Sequence, residues 1–395
     1  MSKKVLIYFE KNKLEPVGGP AGYLWNLHNE LEKKQVSNIY FLESTTNEKR
    51  KKYKQLFNKM PKFMQNIYYN SKKKKYGKKI ISEIFDKKER FANINLNEYD
   101  VIHFHDTLSM YRIKDSLKNY KGKVILTSHS PKASHLEIID KMSQKDKKIY
   151  SEQIKKMDLF DEYAFNRADY IHFPAKEAEE CYYNTWKKYK KIHEKNSKKY
   201  IYIPTGIGPI RVNSDKQEIR EKYNIPADAF VISYVGRHNE VKGYANLKEI
   251  AEKVFKQEDN IYFLIGGKEE PLKGLNNPRW IEVGWTNKPH DLINCSDLFI
   301  LPNMETYFDL IMLEVLSVGK TMLVTDTGGN KYFKKFKESG IFYYEYGNIE
   351  EAIKQIEKIK KKNLKELELL NKKIVKENFT ISIFADKYIE MIENL

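Results

Sequence analysis

The stretch Leu301-Pro-Asn-Met-Glu305-Thr306-Tyr-Phe-Asp309-Leu-Ile-Met-Leu-Glu314-Val-Leu-Ser-Val-Gly319 decides how the chain is read. It follows an apolar run at 298–301 that suits a strand buried on both faces. Asp309 is placed to cap a helix and Gly319 to end it. That helix is apolar on every side except at Glu314. A carboxylate among Leu310, Ile311, Met312, Leu313, Val315 and Leu316 is costly to bury without hydrogen-bond donors. Sugar or ribose hydroxyls would supply them; a buried ion pair with Lys or Arg is the less favoured alternative. Strand, loop and helix make one unit of a parallel sheet, in which ligands bind beyond the carboxyl ends of the strands.

Working outward, the same pattern recurs. Strand-like runs lie at 5–9, 38–42, 101–105, 124–128, 170–174 and 200–204, and a second series at 230–235, 261–265, 281–284, 298–301, 321–325 and 341–344. All are near-continuously apolar, and longer segments suited to helices separate them, so each series predicts a parallel sheet covered on both faces. The fold class is α/β, with two doubly wound domains. Gly206-Ile-Gly-Pro209 and the polar Asn213-Ser-Asp mark the junction. Beyond Gly347 the chain is largely helical, and its Lys/Glu-rich stretch at 349–377 reads as a solvated helix face without function.

Composition bounds the alternatives. The 395 residues are 41% hydrophobic and 13% aromatic, which excludes a disordered or fibrous chain. The two cysteines, Cys181 and Cys295, offer neither a disulfide framework nor a cysteine zinc site and suit a reducing compartment. The apolar start at 5–9 is too short for a signal peptide, and no apolar run approaches the roughly 20 residues that span a bilayer. The expected location is cytoplasmic, with peripheral attachment to the inner face of the cell membrane as an option.

The net charge of +17 is uneven. Residues 1–212 hold 44 basic and 25 acidic residues, 213–395 hold 27 and 29, so +19 and −2 sum to the total. Within 49–79 there are 13 Lys or Arg and no Asp or Glu, with six Tyr or Phe interleaved. Something anionic should meet the first half: nucleic acid, a phospholipid surface or a phosphorylated substrate.

Chemistry is sought just after each strand. Gly18-Gly19, before a helical pattern, would let a backbone approach an anion, though a plain loop is equally compatible. After 230–235, Arg237 and Lys242 are spaced to converge on one phosphate, the Arg as a planar fork and the Lys as a point charge. His103, His105 and His129 stand at two further strand ends; His103 reads as a satisfied core residue, His105 is open between core and site, and His129 points to function. No HExxH or strand-end DxD occurs, so no metal site is expected.

In their order along the chain these residues resemble glycosyltransferase family 4, retaining nucleotide-sugar-dependent enzymes of GT-B fold, and the resemblance covers essentially the whole chain. It is carried by Gly18-Gly19, His105, His129, Ile203-Pro-Thr-Gly206, Gly-Arg237 with Lys242-Gly, Val283-Gly-Trp285, and Leu301-Pro-Asn leading to Glu314 and Gly319-Lys. The resemblance implies two facing Rossmann-like domains with a cleft between them. The first, 1–210, would be the acceptor side, with a helix at about 380–395 packing back on it, and 211–379 would bind the nucleotide-sugar. Arg237 and Lys242 would hold the donor diphosphate and offset charge on the leaving nucleotide. Glu314 would accept the ribose hydroxyls, Gly18 and Gly19 would approach the diphosphate, His129 would meet the donor sugar, and backbone near Trp285 would meet the base. The donor would be a UDP-sugar by preference; no cofactor or divalent metal is required, because cations and amides hold the diphosphate. The family usually has a Glu where this chain has Thr306 and commonly a Gly where it has Asp309, so sugar contacts fall to Glu305, Thr306 or Asp309. Thr205 likewise replaces the usual Asn.

Within 49–79, Leu56, Met60, Phe63 and Ile67 recur at helical spacing among lysines, and Pro61 should kink or restart the helix. Such a helix can lie on anionic lipid, which suits a glycan or lipid-linked acceptor and nominates Lys51, Lys52, Phe57, Lys59, Phe63, Lys72 and Lys73 as its contacts. The bland reading packs the apolar stripe on the protein's own core. A basic nucleic-acid-binding protein would explain the charge but not Glu314 or the strand-end cations, so no nucleic-acid partner is expected. A GT-B sugar-nucleotide epimerase or phosphorylase would keep the fold and change the reaction. The favoured expectation is a retaining transferase for a bacterial surface polysaccharide or glycolipid.

Overall fold

Among the described residues, twelve strands alternate with helices and pair into two six-stranded sheets, parallel throughout. The structure, a computed structural model, describes residues 2–10, 14, 19–42, 60–86 and 94–395. The first sheet comprises β1 (Val5–Tyr8), β2 (Ile39–Phe41), β3 (Val101–Phe104), β4 (Lys123–Thr127), β5 (Tyr170–Phe173) and β6 (Tyr200–Tyr202), ordered β2-β1-β3-β4-β5-β6. The second comprises β7 (Phe230–Val235), β8 (Ile261–Gly266), β9 (Trp280–Gly284), β10 (Leu298–Leu301), β11 (Thr321–Thr325) and β12 (Ile341–Tyr344), ordered β12-β11-β10-β7-β8-β9. Every expected strand is present, with ends shifted by at most two residues.

Burial explains why the apolar runs are continuous. Helices cover both faces, so β1, β3, β10 and β11 are buried along their whole length. One face of the second sheet packs Tyr244, Leu247, Ile250 and Val254 of the helix Tyr244–Gln257 against Ile232, Phe263 and Ile300. The other holds Ile219, Ile225, Leu292 and Cys295 against Val231 and Leu264. Arg220 is fully buried there, and its guanidinium donates to Asp297 at 2.7 Å and to three backbone carbonyls. Both cysteines are buried and unbridged, and burial raises the Cys295 thiol to about 12.

The chain divides into two compact units, residues 1–173, 182–202 and 388–395, and residues 174–181 and 203–387. The helix Ile381–Glu393 is therefore shared: Tyr388 onward belongs to the first unit, where Lys3 donates to the carbonyls of Ile392 and Glu393. In the second unit Gly206 lets Ile207 pair with the strand-like Phe379–Ile381 backbone; a Cβ on Gly206 would stand 2.3 Å from the Thr380 carbonyl oxygen.

Gly243 couples the sheet to the site. It caps the helix Tyr244–Gln257 at φ +65, a left-handed conformation, and a Cβ there would lie 1.6 Å from the Pro302 carbonyl oxygen. Gly347 is also left-handed, at φ +83, but nothing lies within 4 Å of its missing Cβ. Alanine at Gly347 should cost about 1 kcal/mol, the penalty of the conformation alone, whereas Gly243→Ala must also displace the loop after β10 and should cost at least about 2 kcal/mol. Urea unfolding of the two variants checks this; equal losses would show that the close approach to Pro302 is not a constraint.

Candidate active site

In the second sheet the strand order reverses between β10 and β7, which opens a crevice at the carboxyl ends of those two strands. The loop after β7 brings Lys242 there and the loop after β10 brings Asn303 and Asp309. Lys242 Nζ donates to Asp309 Oδ2 at 2.5 Å, and Asn303 Nδ2 donates to the same oxygen at 2.5 Å. Burial pushes the Asp309 carboxyl up, but the Lys242 charge and hydrogen bond, Asn303 and the nearby Arg237 together take it below the usual carboxylate value. Asp309 does occupy the position before the helix Leu310–Val318, which ends at left-handed Gly319. Its side chain, however, makes no capping bond: the carboxylate expected to cap is drawn to the lysine. Arg237 is exposed. The crevice thus offers one anchored cation and one open guanidinium to an anion.

Glu314 is less buried than its apolar helix implied. Its side chain is half-buried, and Oε2 lies 3.2 Å from Nε2 of His290, in the first turn of the helix Pro289–Cys295. Among the described residues no Lys or Arg pairs with Glu314, and His290 is its partner. Thr306 is buried and its Oγ1 is without a partner, as is Oδ1 of the fully buried Asn303. Glu305 is half-buried nearby in sequence, its amide donating to the Val241 carbonyl at 3.5 Å. Gly328 and Gly329 press on this loop, since a Cβ on either would stand 2.1 Å from the carbonyl of Thr306 or Tyr307. Trp285, following left-handed Gly284, is 77% exposed.

A polar group that the sequence did not reveal lies at the ends of β7 and β9. His238 is fully buried, stacks on Tyr244 with ring centroids 4.0 Å apart, and leaves both ring nitrogens without partners. Its Nε2 is 4.0 Å from Glu282 Oε2, while Glu282 Oε1 accepts from Trp280 Nε1 at 2.8 Å and from the Tyr244 hydroxyl. Burial lowers the His238 pKa and raises that of Glu282, so both groups are driven toward neutrality.

In the first unit, Gly19 is left-handed at φ +77 and precedes the helix Pro20–Lys33; Gly18 lies outside the described residues. His103 is a satisfied core residue: Nδ1 meets the Tyr388 hydroxyl at 2.8 Å and Nε2 meets Thr127 Oγ1 at 2.7 Å. His105 is buried too, and its Nδ1 meets His129 Nε2 at 2.9 Å with the rings stacked, leaving Nε2 of His105 without a partner. His129 therefore has one nitrogen committed to His105. Burial lowers the pKa of both His103 and His105, and neighbouring histidines, His172 and His129 among them, add to the effect.

The basic helix runs Lys62–Phe85, starting directly after Pro61, and carries Lys72 and Lys73; Lys51, Lys52, Phe57 and Lys59 lie outside the described residues. Its two ends differ. Ile80, Ile81 and Ile84 pack with Leu108, Met157 and Phe160, whereas Phe63 is 64% exposed and Met64 and Tyr68 are also exposed. The packed and the exposed readings of this stripe each hold for one end of the helix.

The paired parallel sheets and the strand-end crevice define a class, the GT-B glycosyltransferase architecture, which solved structures share over the whole chain. A glycosyltransferase from Rickettsia africae superposes with a TM-score of 0.60 at 16% identity, covering 100% of this chain and 98% of that one. HepE of Anabaena, solved in complex with UDP-glucose, gives 0.59 at 13% identity, covering 100% of both chains. Residues 215–377 match the family described as "Glycosyl transferases group 1". Among curated proteins, the Escherichia coli UDP-Gal:alpha-D-GlcNAc-diphosphoundecaprenol alpha-1,3-galactosyltransferase is 25% identical over 197 residues, 46% of this chain and 51% of that protein. Glycogen synthase of Acholeplasma laidlawii is 22% identical over 204 residues, 46% of this chain and 42% of that protein. The chain thus spans about half the length of these curated relatives. Among the described residues, no group of three or more His, Cys, Asp or Glu is placed to hold a metal ion.

The histidine cluster sets a pH dependence. Because the folded pKa values of His103 and His105 are lowered, the unfolded chain takes up protons below about pH 6.5 while the native one does not. Stability should therefore fall as pH drops below about 6.5, with a slope of up to about 1.4 kcal/mol per pH unit for each histidine. Urea midpoints at pH 7.5 and 5.5 should show the loss, and His103→Gln should reduce it; a midpoint insensitive to pH over that interval would contradict it.

Proposed function

We propose that the chain is a retaining glycosyltransferase that moves a sugar from a nucleoside diphosphate donor, a UDP-sugar by preference, to a glycan or lipid-linked acceptor in bacterial surface polysaccharide or glycolipid synthesis. The observation that carries this reading is the convergence of Lys242, Asp309 and Asn303 beside Arg237 at the switch point of the second sheet. A diphosphate there would meet the Arg237 fork and the remaining protons of the Lys242 ammonium, and both would offset the charge that builds on the departing nucleotide. Glu314, half-buried and held by His290, suits the ribose hydroxyls. The exposed Trp285 and the backbone around it suit the base.

On this reading Gly18 and Gly19 are assigned to the donor diphosphate and His129 to the donor sugar. Glu305, Thr306 and Asp309 are the sugar-contacting candidates, Thr306 because its buried hydroxyl is unpartnered. Cations provide the charge, and no divalent metal is assigned a role. The proposed location is cytoplasmic with peripheral attachment to the inner face of the cell membrane, and the exposed Phe63, Met64 and Tyr68 on the basic helix support the attachment. Among the described residues no helix is long and apolar enough to cross a membrane. The E. coli relative's name specifies a diphosphoundecaprenol acceptor, which fits a lipid-linked substrate here.

Arg237→Ala and Glu314→Ala should each remove most transfer from a UDP-sugar with the circular dichroism spectrum unchanged, because neither side chain supports the core. Wild-type transfer in both variants would discard the site. Neutralising lysines within 49–79 should weaken flotation with anionic liposomes and leave donor hydrolysis largely unchanged. Equal flotation before and after would discard the membrane attachment.

A further inference from the structure

Glu314 sits on a helix whose neighbouring side chains Met312, Leu313, Val315 and Leu316 are buried, so its backbone is fixed, but its carboxylate can still rotate. What stops that rotation is a neighbour on another element. His290 stands in the first turn of the helix Pro289–Cys295, whose Leu292, Ile293 and Cys295 are buried in the core, so its Cα is as firmly held as that of Glu314. Its Nε2 meets Glu314 Oε2 at 3.2 Å, and the two side chains are 23% and 27% exposed. A carboxylate accepts only, so the imidazole must present Nε2–H. This bond occupies one oxygen of Glu314 and aims the other.

From this geometry we infer that His290 is a positioning residue for ribose recognition: it selects the Glu314 rotamer that presents Oε1 to the vicinal hydroxyls of a bound nucleotide. The inference rests on the donor-site reading above and deepens it. An oriented carboxylate meets a diol without first losing side-chain freedom, and an imidazole donor makes its free oxygen a directed acceptor for both hydroxyls. A wandering Glu314 would still attract a nucleotide's hydroxyls but would discriminate them less. His290 touches no reacting atom on this reading, so its loss should raise KM for the donor and leave kcat nearly unchanged, whereas loss of a phosphate-contacting cation should change both.

The test compares equilibrium binding of UDP, 2′,3′-dideoxy-UDP and inorganic pyrophosphate by calorimetry to the full chain carrying wild-type sequence, His290→Ala, His290→Gln or Glu314→Ala. The wild type should prefer UDP over the dideoxy analogue by about tenfold or more, as expected for hydroxyls bonded to a charged group. His290→Ala should cut that preference to about threefold or less, and His290→Gln, which can place an amide N–H near the same point, should restore most of it. Pyrophosphate binding should be the same in all four, which a general loosening of the helix would not allow. If Glu314→Ala keeps the preference for UDP, or the wild type binds no UDP, the donor-site reading fails and takes this assignment with it. If Glu314→Ala abolishes the preference while His290→Ala keeps it, the donor site stands and His290 is not its positioning residue.

Discussion

Both sheets are parallel throughout and covered on both faces, and this one constraint fixes where chemistry can occur. In the central strands of such a sheet the backbone donors and acceptors are used by neighbouring strands, and most side chains meet apolar neighbours. A polar group placed mid-strand must find a partner at once, as Ser233 does with Ser296 at 2.8 Å and His103 does with Thr127 and Tyr388. Past the last paired residue of a strand polar side chains regain access to solvent, and where the strand order reverses two such ends face one crevice. Lys242, Asn303 and Asp309 come together there, with Arg237 nearby.

The same constraint explains what was legible in the sequence. Strands buried on both faces write themselves as continuous apolar runs, so all twelve could be read, and Lys242 and Glu314 stood out by position or by contrast with an apolar helix. What could not be read were the partners. Lys242 and Asp309 are 67 positions apart and follow different strands, and sheet order, which joins β10 to β7 rather than β9, is not encoded in any local pattern. Asp309 looked like a helix cap because capping is a local rule, and the cap was overridden by a lysine that only topology brings near. His290 and His238 stand out only by their neighbours, Glu314 and Glu282, which lie on other elements of the second unit.

The basic helix itself divides in two. The excess charge in the first half looks like one property, yet the Lys62–Phe85 helix divides into an end that packs through Ile80, Ile81 and Ile84 and an end that exposes Phe63, Met64 and Tyr68. Packing one end fixes the direction in which the other projects. An amphipathic helix anchored at one end keeps its exposed apolar side chains beside lysines without needing a surface to fold against, so its helicity does not depend on what it meets.

At the crevice itself the arrangement trades attraction for order. A free lysine would pull a diphosphate harder than one already paired with Asp309, because the aspartate's negative charge opposes the same ligand. Yet a free lysine also gives up about 2 kcal/mol of rotamer freedom when it is pinned, and Asp309, itself fixed by Asn303, has already removed that freedom. On the proposed reading Arg237, which is exposed, would carry most of the net attraction, while Lys242 would contribute direction. If the chain transfers a sugar as proposed, a weaker and better-aimed grip on the departing nucleoside diphosphate would be the more useful of the two, because charge is needed most while the bond to the sugar is breaking and least once it has broken.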